Sequence, residues 1–241
     1  MLPLRVNSQV FKELQISLYD IFGYLLPGAI IFFALVVIFW SLFWPTLPLA
    51  LKSSLPVMAI VGLIFGAYLL GHLGQGIGNL VEKLPVVKRR REANLPLSAE
   101  LAELVRDAVA VRFGKKARSL NLKDISLLCD QALVFAGSSG DREIFVYREG
   151  FYRGNSVALA LLAVALMLRL AVGSPTLVAF ECAQVEIHRS QVALAVLIAG
   201  FGALLSFLRY LRFGDHKNST CVTRFLALAS EQLHEKEKKS S

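Results

Sequence analysis

Apolar residues gather in four long, nearly uncharged runs: Ile21 to Trp44, Pro56 to Val81, Asn155 to Val172 and Val192 to Leu211. A helix rises about 1.5 Å per residue, so about 20 residues carry it across a hydrocarbon core of about 30 Å. Each run therefore predicts a membrane-spanning helix. The first ends in Trp40 and Trp44, aromatic residues suited to the membrane boundary, and Pro45 and Pro48 stop it. The second ends at Glu82-Lys83, and Gly173-Ser174-Pro175 breaks the third. Arg169, close to that break, can reach the headgroups with its charged tip. Arg209-Tyr210-Leu211-Arg212 marks the exit of the fourth run.

Between and before the runs the period changes. Val10, Phe11, Leu14 and Leu18 share one helical face, with Asn7 or Ser8 placed to cap it. That pattern fits a short amphipathic helix on the inner leaflet or an extension of the first span. In the middle segment Ser98 caps a predicted helix whose Leu101, Leu104, Val105, Ala108 and Val111 form a stripe ending near Gly114. Asn121 and Asp124 resemble a capping box for a second helix through Leu122, Ile125, Leu128, Cys129, Ala132 and Leu133, closed by Gly137. The two can form an antiparallel hairpin. Their stripes need covering, by the tail from Thr220 to Leu233, a neighbouring protomer or another protein. The predicted class is all-α: a four-helix multi-pass transmembrane protein with a cytosolic helical insert. Its parts are an N-terminal amphipathic segment (1–20), spans one and two (21–81), the basic insert (82–154), spans three and four (155–211) and a cytosolic tail (212–241).

Composition agrees with lipid rather than water as the main solvent. The 241 residues are 55% hydrophobic with mean hydropathy +0.57, which leaves little room for a large catalytic domain. The net charge of +8 is distributed by connection. Of 26 Lys and Arg residues, 22 fall in the N-terminal tail, the 82–154 segment and the C-terminal tail, with Arg209 just before that tail at the exit of the fourth run, whereas the other two loops hold only Lys52 and Arg189. That asymmetry orients both termini and the insert to the cytoplasm. The first run is too long for a cleavable signal and is expected to stay as an anchor. Cys129, Cys182 and Cys221 show no metal-ligand spacing, and the topology makes an intrachain disulfide improbable.

The chemistry that stands out lies in the second run. Tyr68, His72, Gln75 and Asn79 share one helical face, and polar groups at membrane depth need partners. If the first two spans are antiparallel and equally deep, their facing residue numbers sum to about one hundred. Tyr24 is then level with Gln75 and Asp20 with Asn79, so Asp20, Tyr24, His72, Gln75 and Asn79 gather with Tyr68 nearby. Such a cluster is either hydrogen-bonding glue between helices or a functional vestibule. Gly62 with Gly66, and Gly74 with Gly78, make two G-x-x-x-G pairs for close helix packing, and Ala199 with Ala203 a weaker one. Gly74-Gln75-Gly76-Ile77-Gly78 lacks the strand and the acid of a nucleotide loop.

Lys88, Arg89, Arg90 and Arg91 suit anionic lipid or another anion, and no recognition pattern for a specific nucleic acid accompanies them. His72 is a poor metal ligand on its own, and His188, His216 and His234 lack companions, so no catalytic set, metal or cofactor is expected. Pro27-Gly28 bends the first span or marks its start. Asp20-x-x-Gly23-Tyr24-x-x-Pro27-Gly28, with Gly71-His72 and Arg153-Gly154 opening the third span, resembles small bacterial four-span inner-membrane proteins. Some of these are linked to anti-phage defence systems, and the resemblance implies that setting without a mechanism. Two functions are expected: an oligomeric membrane scaffold or sensor with a cytosolic protein partner, or an oligomeric ion channel or membrane-disrupting effector lined by the polar face of the second span.

Overall fold

The computed structural model describes residues 5–39, 57–93, 97–137, 140–172, 178–180, 183–185 and 188–240; for 5–20, 59, 91–93, 123, 140–143, 178–180, 183–185 and 232–240 it describes the backbone alone. The chain is all-helical in class. Its elements are α1 (Arg5–Ile38), α2 (Val57–Glu82), α3 (Pro85–Ala93), α4 (Ala99–Phe113), a 3-10 turn (Lys115–Ser119), α5 (Leu122–Phe135), α6 (Gly140–Val172), and α7 (Arg189–Ser240). Two three-residue strands, β1 (Val178–Phe180) and β2 (Ala183–Val185), pair antiparallel between α6 and α7. Four helices are long and apolar enough to cross a membrane, and their apolar windows lie at Ile21–Ile38, Ile60–Glu82, Ile144–Val172 and Arg189–Glu231. The protein is a multi-pass membrane protein.

The chain divides into two compact units. Unit 1 holds residues 1–82 and 150–210, and unit 2 holds residues 83–149 and 211–241. Helix α7 runs over 52 residues, of which Arg189–Tyr210 belong to unit 1 and the rest to unit 2. Helices α6 and α7 each supply residues to both units without a break. The N-terminal segment, for which two forms were open, is backbone-continuous with the first span from Arg5 to Ile38, so it is an extension and no separate helix.

In unit 1 the close approach of α1 and α2 depends on glycine. A Cβ on Gly28 would lie 1.6 Å from the Ala67 carbonyl oxygen, and one on Gly71 would lie 1.9 Å from that of Tyr24. These crossings show an antiparallel pair whose facing numbers sum to 95. The equal-depth register expected from the sequence is therefore corrected by about one turn. Gly74 faces Ile31 and Gly78 faces Arg153, whereas a Cβ on Gly62 or Gly66 would meet nothing within 4 Å. The first G-x-x-x-G pair thus packs nothing among the described residues of its own chain. Ala34 and Val37 of α1, Ala165 and Leu166 of α6, and Val192 of α7 form a second buried patch.

Unit 2 answers what covers the two amphipathic stripes. Val105 and Val109 of α4, Ile125, Cys129, Ala132 and Leu133 of α5, and Cys221, Val222 and Phe225 of α7 form one buried core. The chain's own tail covers the α5 stripe and Val105 of the α4 stripe, whereas Leu104 and Val111, expected in that same stripe, are 59% and 75% exposed because the covered face of α4 runs through Val105 and Val109. The Ser98 hydroxyl accepts from the Leu101 amide at 3.2 Å, and the Asn121 side chain accepts from the Asp124 amide at 2.9 Å, as the capping patterns predicted. Gly114 and Gly137 close the two helices at positive φ, 97° and 68°, where a side chain would be strained. The Cys221 thiol donates to the Ser126 carbonyl at 3.7 Å, which seats α7 on α5.

Gly71→Ala drives a methyl group into backbone and is expected to lower stability by about 3 kcal/mol, while Gly200→Ala, where a Cβ meets nothing, should stay within about 0.5 kcal/mol. Thermal unfolding of both variants in one detergent checks the contrast.

Burial, and then the neighbouring Cys221, pushes the Cys129 thiol up to about 12. At neutral pH it is expected to resist maleimide until the unit opens. Because the folded value is raised, the contribution to stability is intact below the ordinary value of 9.0 and falls between 9.0 and about 12. Labelling of Cys129 across denaturant and alkaline pH, read by peptide mass, tests both statements.

Candidate polar site within the span bundle

Proline generates the first requirement of the site. Pro27 sits inside α1 and is buried, and it has no N–H to give to the carbonyl four residues earlier, that of Gly23. A carbonyl orphaned away from water needs another donor. Gln75 of α2 supplies it: its Nε2 donates to the Gly23 carbonyl at 3.4 Å and to the Gly150 carbonyl of α6 at 2.6 Å. The side chain is only 8% exposed. Gly154, one turn beyond Gly150, makes room, since a Cβ there would lie 2.5 Å from Gln75 Nε2 and 3.3 Å from Pro27 Cγ.

The other end of the same amide continues the network. Arg153 Nε donates to Gln75 Oε1 at 3.1 Å, and its NH1 pairs with Glu82 Oε1 at 2.6 Å. The Tyr210 hydroxyl of α7 donates to the same carboxylate oxygen at 2.9 Å. Gly78 lets the arginine stem lie against α2, because a Cβ there would come within 2.8 Å of Arg153 Cγ. One side-chain network therefore joins all four spans. Its arginine and glutamate side chains are 21% and 25% exposed, so each charge is partly desolvated and is balanced by the other.

No family model, curated protein or solved structure matches this chain. The site's chemistry is accordingly read from its own geometry.

The sequence-derived cluster divides into parts. Tyr24, Tyr68 and His72 do come together: Tyr24 stacks on His72 at 3.9 Å between ring centroids, and Tyr68 meets the edge of both, at 4.7 Å from His72 and 5.7 Å from Tyr24. Gln75 is drawn away into the polar network. Asn79 is exposed and does not join either group, which corrects the expectation that it gathers with the rest. The cause is register: with facing numbers summing to 95, Tyr24 meets the level of Gly71 and His72 rather than Gln75. Only the backbone of Asp20 is described, so its expected place in the cluster lies outside the described side chains. Lys88, Arg89 and Arg90 are exposed on α3, and the Arg91 side chain is not among those described.

The residues missed were Glu82, Gly150, Arg153 and Tyr210. In the sequence Glu82 marks the end of the second span and Arg153 the opening of the third. A signal was present: opposite charges stand where the second run ends and the third begins, at the same edge of two adjacent spans. Arg169 at the far end of α6 is half-buried, and its Nε has no hydrogen-bond partner among the described residues.

Arg153→Leu leaves the Glu82 carboxylate without its cation and is expected to cost about 3 kcal/mol, more than the double variant Arg153→Leu/Glu82→Leu. Gln75→Leu orphans the Gly23 carbonyl and should cost about 1–2 kcal/mol. Unfolding midpoints of the two single variants, the double variant and Gln75→Leu decide it; additive losses at 82 and 153 would rule out a coupled pair.

Proposed function

We propose that the chain is an oligomeric membrane scaffold or sensor, held in a bacterial inner membrane with both termini in the cytoplasm, that couples the bilayer to a cytosolic protein partner. The supporting observation is the polar network itself, which ties the four spans together and draws Gly150, Arg153 and Tyr210 from α6 and α7, the helices whose residues continue into unit 2. Glu82, Gly150 and Tyr210 are the unit 1 residues at which the chain passes to or from unit 2 along α2, α6 and α7. A change in how the spans pack alters the Gln75–Arg153–Glu82–Tyr210 bonds, and the chain that leaves them along α6 and α7 continues into the residues of unit 2.

With Val105 and Val109 of α4 and the buried face of α5 covered by α7, the case for a soluble partner moves to the apolar residues left outside that core. Val111 of α4 is 75% exposed and Phe135 of α5 is 88% exposed, both beyond what the shared core uses. The basic α3 provides attraction to anionic headgroups next to the second span. The pore alternative loses its lining residue Gln75, which is committed to internal bonds. Anti-phage defence is the setting that the resemblance suggests, and phage plating on cells with and without the gene measures it.

Hydrogen exchange in lipid nanodiscs is the direct test of coupling. Arg153→Leu, a change confined to unit 1, is expected to raise amide exchange across α4 and α5 in unit 2 by several-fold, with the parent chain running as more than one copy per particle. A monomeric parent together with unchanged exchange in α4 and α5 rejects the proposal.

A further inference from the structure

One face of α2 is left uncovered in the protomer, and its composition differs from every other outward face. Gly62, Phe65, Leu69, His72, Gly76 and Asn79 are all exposed. They follow one another at spacings of three and four, the heptad seam of a helix that packs along another helix. A Cβ on Gly62 or Gly76 would meet nothing within 4 Å. Among the described residues of α1, α6 and α7 within the spans, the exposed side chains away from the helix ends are apolar, as with Phe33, Val164 and Phe201. Lipid satisfies those faces. It does not satisfy α2.

His72 lies ten residues from the Glu82 end of α2, about 15 Å along the axis and so near the middle of a bilayer. Its ring stacks on Tyr24, which covers one face and leaves its nitrogens to find partners. A polar group there is unfavourable until it meets another polar group. A neutral imidazole carries one donor and one acceptor, and an asparagine amide carries both as well. Each is therefore complementary to a copy of itself. In a parallel pair related by a two-fold axis, seam residues meet their own counterparts layer by layer.

We infer that a second copy of this chain occupies this face, α2 against α2 in parallel, with His72 against His72 and Asn79 against Asn79. The inference rests on the oligomeric reading above and names its interface. Gly62 and Gly76 let the two backbones approach, and Phe65 and Leu69 fill the layers between the polar ones. The glycines alone would be a common packing motif; the two self-complementary polar residues on the same seam are what select another copy over lipid.

Disulfide trapping in native membranes, with the parent cysteines retained in every sample as the background, reads the seam directly. Leu69→Cys and Gly76→Cys are expected to cross-link between copies under mild oxidation, whereas Leu63→Cys and Ile77→Cys, exposed on α2 but off the seam, stay at parental background. Native mass measurement supplies the second arm. His72→Leu should weaken association roughly three- to tenfold, the equivalent of one or two interhelical hydrogen bonds, and Gly76→Leu should weaken it further while leaving the protomer's thermal midpoint unchanged. An oligomer that cross-links equally on and off the seam, or that is indifferent to both substitutions, overturns this interface and leaves the scaffold reading standing. A monomer with no cross-link overturns both.

Discussion

The carbonyl of Gly23 sets the terms for the span bundle. Gly23 is buried among the spans, so the donor that Pro27 removes has to be replaced from within the protein. Gln75 replaces it, and because the same amide nitrogen also reaches Gly150, the repair fixes α1, α2 and α6 in one mutual register. That register brings Gly28 under Ala67 and Gly71 under Tyr24, where a methyl group has no space. The glycines follow from the proline through the geometry of one amide side chain.

The ion pair extends the same logic to the fourth span. Glu82 and Arg153 each retain about a quarter of their side-chain surface, which places them between the interior, where an isolated charge is prohibitive, and the headgroup region, where a pair contributes little. Tyr210 adds a neutral donor to the carboxylate and brings in α7. Charge here serves arrangement more than net stability, since a buried pair commonly does no better than a well-packed apolar one. The hydrogen bonds also have direction, so the network distinguishes one helix arrangement from its neighbours in a way that leucines would not.

The spans, the two capped helices of unit 2 and their terminating glycines were legible because each is a local pattern: a run of given length, a Ser or Asn before a stripe, a Gly after it. Register was not local. The equal-depth assumption put Tyr24 beside Gln75, and the actual offset of about one turn depends on Pro27 and on backbone contact at two glycines. For the same reason Gly62-x-x-x-Gly66 could not be told from Gly74-x-x-x-Gly78, although only the second pair packs within the described chain. Arg153 was read through its position at a membrane edge, which is correct for a lone arginine, and its partner Glu82 was 71 residues away. The tail's role as cover for α4 and α5 was one of three open choices, because hydrophobic periodicity shows that a face needs a partner and does not say which.

Helix α2 sorts its polar residues by where their partners are. Gln75 is three residues from His72, and that rotation of about 60° is enough to turn one toward Gly23 and Gly150 and the other outward. The inward side of α2 carries Gly71, Gly74 and Gly78, every one of them against a neighbouring element of unit 1. Its outward side repeats the same ingredients, small residues interleaved with hydrogen-bonding side chains, but with empty space in front of them. A helix meant only for lipid has no use for that composition, and α1, α6 and α7 show what such faces look like in this protein. The physical rule that accounts for Gln75, that a polar group at depth requires a counterpart, applies without change to His72, which has no hydrogen-bond partner among the described residues.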